Sequence, residues 1–122
     1  MTRRKQPGDL LPLPPAPLHI VLALRGGERH GYAIMQDVEQ LSDGVIRMGP
    51  GTLYGTLKRL LEQGLIEESD GPADPSPESQ RRRYYRLTAV GLQASNSELA
   101  RLAALVERTR NSVAGRLVGE VS

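Results

Sequence analysis

Apolar residues recur at helical spacing in several stretches of this chain, and aromatic or apolar residues come in pairs in two others. Leu18, Val21, Leu22 and Leu24 lie in a short, nearly all-apolar run that predicts a buried helix, with Gly26 and Gly27 to end it. In "HGYAIMQDVEQLS", Ile34, Met35, Val38 and Leu41 fall on one face of a second helix, which Ser42, Asp43 and Gly44 should break. A third helix follows in "MGPGTLYGTLKRLLEQGLI". Leu53, Leu57, Leu60 and Leu61 share its inner face, while Gly55, Lys58, Arg59 and Glu62 take the other. Thr52 is its expected N-cap and Gly64 its end. "LIEES" and "RRRYYRLT" then predict two short strands joined by the Pro-, Ser- and Gly-rich "DGPADPSPESQ". In the second strand Tyr85 and Leu87 share one face, and Tyr84 and Arg86 the other. From Ala89 the chain has no proline and is mostly helix-forming. Leu92, Leu99, Val106 and Val113 repeat at heptad spacing, with Leu102 half a heptad away, and Ser95 and Thr109 interrupt the seam. Such a helix needs a partner.

Composition narrows the classes without choosing among them. A chain of 122 residues, 39% hydrophobic and 25% charged, has the make-up of one ordinary globular domain. Its 16 basic and 14 acidic side chains leave a net charge of +2, so the placement of charge must decide whether a polyanion is the partner. With no cysteine there is no disulfide, thiolate metal site or cysteine nucleophile. The run "LHIVLAL" is far too short to span a bilayer. The start, "MTRRKQPGDLLPLPPAP", has no apolar signal core before its prolines. The expectation is a cytoplasmic chain without a membrane partner, opening on a flexible, basic, Pro-rich arm over residues 1–15. His19, within an apolar run, and His30, in a turn, lack a spaced carboxylate or second histidine, and Ser42 and Ser69 lack a triad context. No catalytic residue, metal or cofactor is expected.

Three helices, a two-stranded wing and a trailing helix make a winged helix-turn-helix, mainly α with a small β-hairpin. In such a fold the recognition helix enters a major groove by its N-terminal end, where free N–H groups and the positive end of the dipole attract phosphate. Gly51 and Gly55 would let backbone approach backbone. Thr52 and Tyr54 offer hydroxyls to phosphate oxygens, and Lys58 and Arg59 offer charge. Arg81, Arg82, Arg83 and Arg86 beside Tyr84 and Tyr85 would hold the backbone or straddle a minor groove from the base of the wing. Asp70, Asp74 and Glu78 make its tip acidic. Each of these charge runs is also at home on a solvated face.

"HGYAIMQDVEQ", "GPGTLYGTLKRLLEQGLI" and "RRRYYRLTAVG" together resemble the three signature blocks of the PadR family of transcriptional regulators, in order and spacing, over roughly residues 17 to 91. The resemblance implies a dimeric winged-helix repressor of the family's compact branch, with a single short C-terminal helix. It implies that Tyr32 opens the second helix close to DNA, that Thr52 and Tyr54 contact phosphate with Lys58 following, and that Arg82 and Arg83 sit on the wing. Tyr85 and Leu87 would be mainly structural. Gly55 departs from the pattern, since the family usually has proline after Gly-Thr-Leu-Tyr. The expected layout is an arm over 1–15, a DNA-binding domain over 16–88 and a dimerisation helix over 89–122. The DNA-contacting set is Tyr32, Gly51, Thr52, Tyr54, Lys58, Arg59, Arg82 and Arg83. The dimerisation set is Leu92, Leu99, Leu102, Val106 and Val113. The partners implied are a double-stranded operator, a second copy of the chain and, as family members often sense one, a small hydrophobic effector. A winged helix that binds protein instead of DNA is the competing expectation. It would lack the charge at Lys58, Arg59 and Arg81 to Arg83.

Overall fold

The computed structural model describes residues 10–73, 76–77 and 82–121, with side chains of the last helix as far as residue 112. Helix α1 spans Pro15–Ala23, with a 3-10 turn at Leu24–Gly26, and α2 spans Gly31–Leu41. Helix α3 covers Pro50–Glu62, and α4 covers Ala89–Val121. Strands β1 (Arg29–His30), β2 (Ile66–Ser69) and β3 (Tyr84–Leu87) form one antiparallel sheet in the order β1-β3-β2. The hairpin pairs Ile66 with Leu87 and Glu68 with Tyr85, and β1 adds Arg29 opposite Tyr85 and His30 opposite Tyr84. The wing thus has a third strand beyond the two expected. Two residues are too few to show a periodic signal.

The core lies where α1, α2 and α3 meet the sheet and the first turns of α4. Ile20, Val21, Ile34, Val38, Leu53, Leu57, Leu60, Leu65, Ile66 and Tyr85 are buried there. The helical faces read from spacing are those that face inward, except at Leu41, which is exposed because α2 ends there. Asp43 and Gly44 then turn the chain with positive φ. Leu10 and Leu11 also pack on the core, and Leu13 is buried in it. The arm expected over 1–15 is therefore anchored from Leu10, and α1 begins at Pro15. Arg3, Arg4 and Lys5 lie outside the described residues.

One correction concerns the front of α3. Its N-cap is Gly49, not Thr52, and Pro50 occupies the first helical position. There proline costs nothing, because its missing N–H is one of the helix's unpaired donors anyway. The first ladder bond runs from the Leu53 amide to the Gly49 carbonyl, so Gly55 stands past the first turn. At the other end Gly64, with φ 74°, closes the helix, as the Leu65 amide reaches back to the Leu60 carbonyl.

Helix α4 carries a buried face formed by Gly91, Ala94, Ser95 and Glu98. Leu92, Leu99 and Val106 lie exposed beside it, as does Leu105. Leu102 is half-buried against the core, and the Val113 side chain lies outside the described residues. Among the described residues no helix is long and apolar enough to cross a membrane.

Candidate nucleic-acid interface

Polar tips from α2, α3 and the wing converge on one side of the molecule. His30, Gly31, Tyr32, Tyr54, Arg82 and Arg83 line an open groove of about 470 Å³. Four of the residues expected to contact DNA, from three separate segments, are therefore neighbours.

The local sequence explains how. His30 ends β1 and caps α2, where its Nδ1 accepts from the Ala33 amide at 3.2 Å. That places Tyr32 in the first turn, well exposed. Gly31 is buried because the Tyr54 side chain of α3 lies over it. A Cβ at Gly31 would stand 2.6 Å from the Tyr54 hydroxyl oxygen. The glycine of His-Gly-Tyr thus seats the tyrosine of Gly-Thr-Leu-Tyr. The wing repeats the device, with the Tyr84 ring over Gly71, where a Cβ would meet it at 2.8 Å. Tyr84 in turn meets the His30 ring edge-on at 5.7 Å between centroids.

The charges are arranged unequally. An Arg82 guanidinium nitrogen lies 3.0 Å from His30 Nε2. Arg83 faces Glu68 at 3.7 Å, and Arg86 donates to Glu67 at 3.0 Å across the hairpin. Pairs this exposed hold the cations loosely. Arg86 is held at a shorter distance than Arg83 and sits on the face away from the core. Arg81, Asp74 and Glu78 lie outside the described residues. The His30 imidazole is held below its ordinary range, first by burial and then by the Arg82 and Arg29 charges, with Asp37 opposing. Arg29 and Asp37 form a two-bond pair at 2.9 and 3.1 Å, which fixes β1 to α2.

On α3 the outward residues are Gly51, Thr52, Tyr54, Gly55, Lys58, Arg59 and Glu62. At about 100° per residue, Gly51 and Gly55 run down the middle of this arc. Tyr54 and Lys58 flank them on one side, Thr52 and Arg59 on the other. A Cβ at either glycine would meet nothing within 4 Å. Lys58 and Arg59 form no ion pair among the described residues. Thr56, which the sequence reading passed over, is buried and returns its hydroxyl to the Thr52 carbonyl at 2.7 Å. His19 bonds the Pro15 carbonyl within α1, a local contact. No cluster of metal-binding side chains occurs among the described residues.

A bare glycine-lined helix front, a wing beside it and a helix-turn-helix behind it define the winged helix-turn-helix class. A family model, the transcriptional regulator PadR-like family, matches residues 20–97, and the chain belongs to that family. It is 36% identical over 99 residues to the transcriptional regulator Rv3488 of Mycobacterium tuberculosis, covering 81% of this chain and 83% of that protein. It is 37% identical over 106 residues to an uncharacterized 37.1 kDa protein in transposon TN4556 of Streptomyces fradiae. That match covers 87% of this chain but spans a quarter (25%) of the relative's length. Among solved structures, Bacillus subtilis PadR in complex with operator DNA shares the fold, with a TM-score of 0.58 and 24% identity over 72% of this chain and 47% of that one.

Proposed function

We propose that this chain is a DNA-binding repressor that acts as a homodimer on a pseudo-palindromic operator. The observation that carries this reading is the single surface formed by Tyr32, Tyr54, Arg82 and Arg83 beside the glycine-lined outer face of α3. The Tyr32, Thr52 and Tyr54 hydroxyls suit phosphate oxygens, and Arg82 and Arg83 hold the backbone from the wing. Gly51 and Gly55 admit the helix deep into a major groove. Lys58 and Arg59 follow one turn later, where the planar fork of Arg59 suits the edge of guanine. Leu92, Leu99 and Val106 form an exposed apolar stripe on α4 that a second copy would cover, and Leu102 lies at its border. A closed dimer presents two reading heads related by symmetry, hence a two-fold operator.

The test is a titration of DNA fragments selected from a random pool, with scrambled fragments as controls, at several salt concentrations. Selected DNA should bind at least ~10³-fold more tightly than scrambled DNA. Equal affinity, or binding to neither, would overturn the reading. Leu99→Glu with Val106→Glu should give monomers in sedimentation, since neither side chain belongs to the core. A dimeric double variant would move the interface elsewhere.

A further inference from the structure

Helix α4 is fastened to the rest of the molecule by three polar bridges, each reaching a different part. At its N-terminal end the Thr88 hydroxyl donates to the Gly64 carbonyl at 2.7 Å, and the Thr88 amide donates to the Leu65 carbonyl at 3.1 Å. This is the corner that follows α3. Gly91 packs so closely on it that a Cβ would stand 1.9 Å from the Leu65 carbonyl oxygen. In the middle, Arg25 from the turn after α1 donates one guanidinium nitrogen to Ser95 Oγ and to Asn96 Oδ1, the latter at 2.7 Å. Further along, the buried Glu98 carboxylate accepts from the Leu13 amide, ahead of α1, at 2.9 Å. Arg101 grips the same carboxylate through two bonds of 3.0 and 3.2 Å and holds Glu98 below the usual carboxylate range. From Thr88 to Glu98 the bridges span about 15 Å of helix.

Ser95 and Glu98 lie away from the candidate interface and both are fully buried, and the Ser95 hydroxyl also donates to the Leu92 carbonyl of its own helix at 2.7 Å. An apolar side chain at either place would avoid the desolvation of a hydroxyl or a carboxylate. What apolar contacts do not supply is a fixed angle, because they tolerate sliding and rotation that a hydrogen bond does not. Three directional bridges, spaced along one helix face and reaching three segments, fix the tilt and the rotation of α4 together.

We propose that Arg25, with Ser95, Asn96 and Glu98, positions the two reading heads at a set distance and angle, so that these residues determine the half-site spacing the dimer accepts. This rests on the homodimeric DNA-binding reading above. One added base pair moves the second half-site by ~3.4 Å and turns it by roughly 35°. A loosely held α4 absorbs such a change, and a three-point joint does not.

The experiment uses the full chain and an operator selected from random DNA. A set of copies has the half-site separation altered by one or two base pairs in either direction. Arg25→Ala removes the middle bridge from an exposed position, and Ser95→Ala with Asn96→Ala removes it from the helix side. Spacing preference is read as the ratio of affinities for shifted and unshifted DNA, so a general loss of positive charge cancels. The parent should lose roughly tenfold or more on a one-base-pair shift, the size of a typical mismatch. Both variants should stay dimeric in sedimentation and lose only about twofold to threefold. Stable, dimeric variants with the parent's profile would overturn the proposal. A parent that sediments as a monomer, or does not prefer selected DNA, would overturn the reading beneath it, a result told apart before any spacing is compared.

Discussion

Replacing Gly55 with alanine should raise the stability of the protein and lower its affinity for operator DNA. Gly55 lies inside α3, a helix of 13 residues, and its amide belongs to the ladder. Alanine in a helix interior is favoured over glycine by about 0.5–1 kcal/mol, through lower unfolded-state entropy. Nothing within 4 Å opposes the new methyl group, so no packing penalty offsets the gain. For a chain of this size the expected rise in melting temperature is about 2–5 °C. Thermal unfolding followed by circular dichroism measures it. The same methyl stands in the middle of the outward arc, between Tyr54 and Lys58 on one side and Thr52 and Arg59 on the other. If the helix lies against DNA there, the group overpacks the contact by about 1–3 kcal/mol, or roughly 5- to 150-fold in affinity for selected DNA. A stabilised variant with unchanged affinity would show that Gly55 is not at the contact. A destabilised one would show that the helix is not regular at this position.

Gly91→Ala should cost at least about 1–3 kcal/mol in urea unfolding, because the Leu65 carbonyl oxygen cannot give way as a flexible side chain could; a neutral result would remove the close packing of α4 on that corner. The folded-state pKa of His30 lies below the ordinary 6.5, so as pH falls past 6.5 the unfolded chain takes up the proton first and stability declines. His30→Asn, which keeps a capping acceptor, should flatten this decline between about pH 7.5 and 5.5, and an equal slope in parent and variant would refute it. Arg83→Ala should weaken selected and scrambled DNA alike and reduce the salt slope by about one per lost phosphate contact, whereas Arg59→Ala should narrow the gap between the two by roughly 1–3 kcal/mol. An equal loss on both DNAs for Arg59→Ala would make that residue another backbone clamp.

The helices were legible because their inner faces repeat. Leu53, Leu57 and Leu60 of α3, and Ile34 and Val38 of α2, follow the 3.6-residue period with few interruptions, and all five are buried. The start of α3 was not legible in the same way. Thr52 has the chemistry of a cap, yet Pro50 two residues earlier is as good a helix opener and takes precedence. The buried face of α4 was not legible for a different reason. Ser95 looks like a break in an apolar seam and Glu98 falls outside that seam; the partners that explain their burial, Arg25 and Leu13, lie 70 and 85 residues away. Strand β1 escaped for want of length, and with it went the route by which His30 reaches the wing. Pattern also could not show that the two glycines beneath Tyr54 and Tyr84 are seats for aromatic rings, since the relation joins residues far apart in the chain.

His30 faces two donors, the Ala33 amide at Nδ1 and the Arg82 guanidinium at Nε2. A neutral imidazole has one lone pair available to accept and one N–H. The first turn of α2 and the wing arginine therefore compete for a single lone pair. With the ring proton on Nε2 the lone pair faces the Ala33 amide, and with the proton on Nδ1 it faces Arg82. The wing and the first turn of α2 are thus joined through the choice of which ring nitrogen carries the proton.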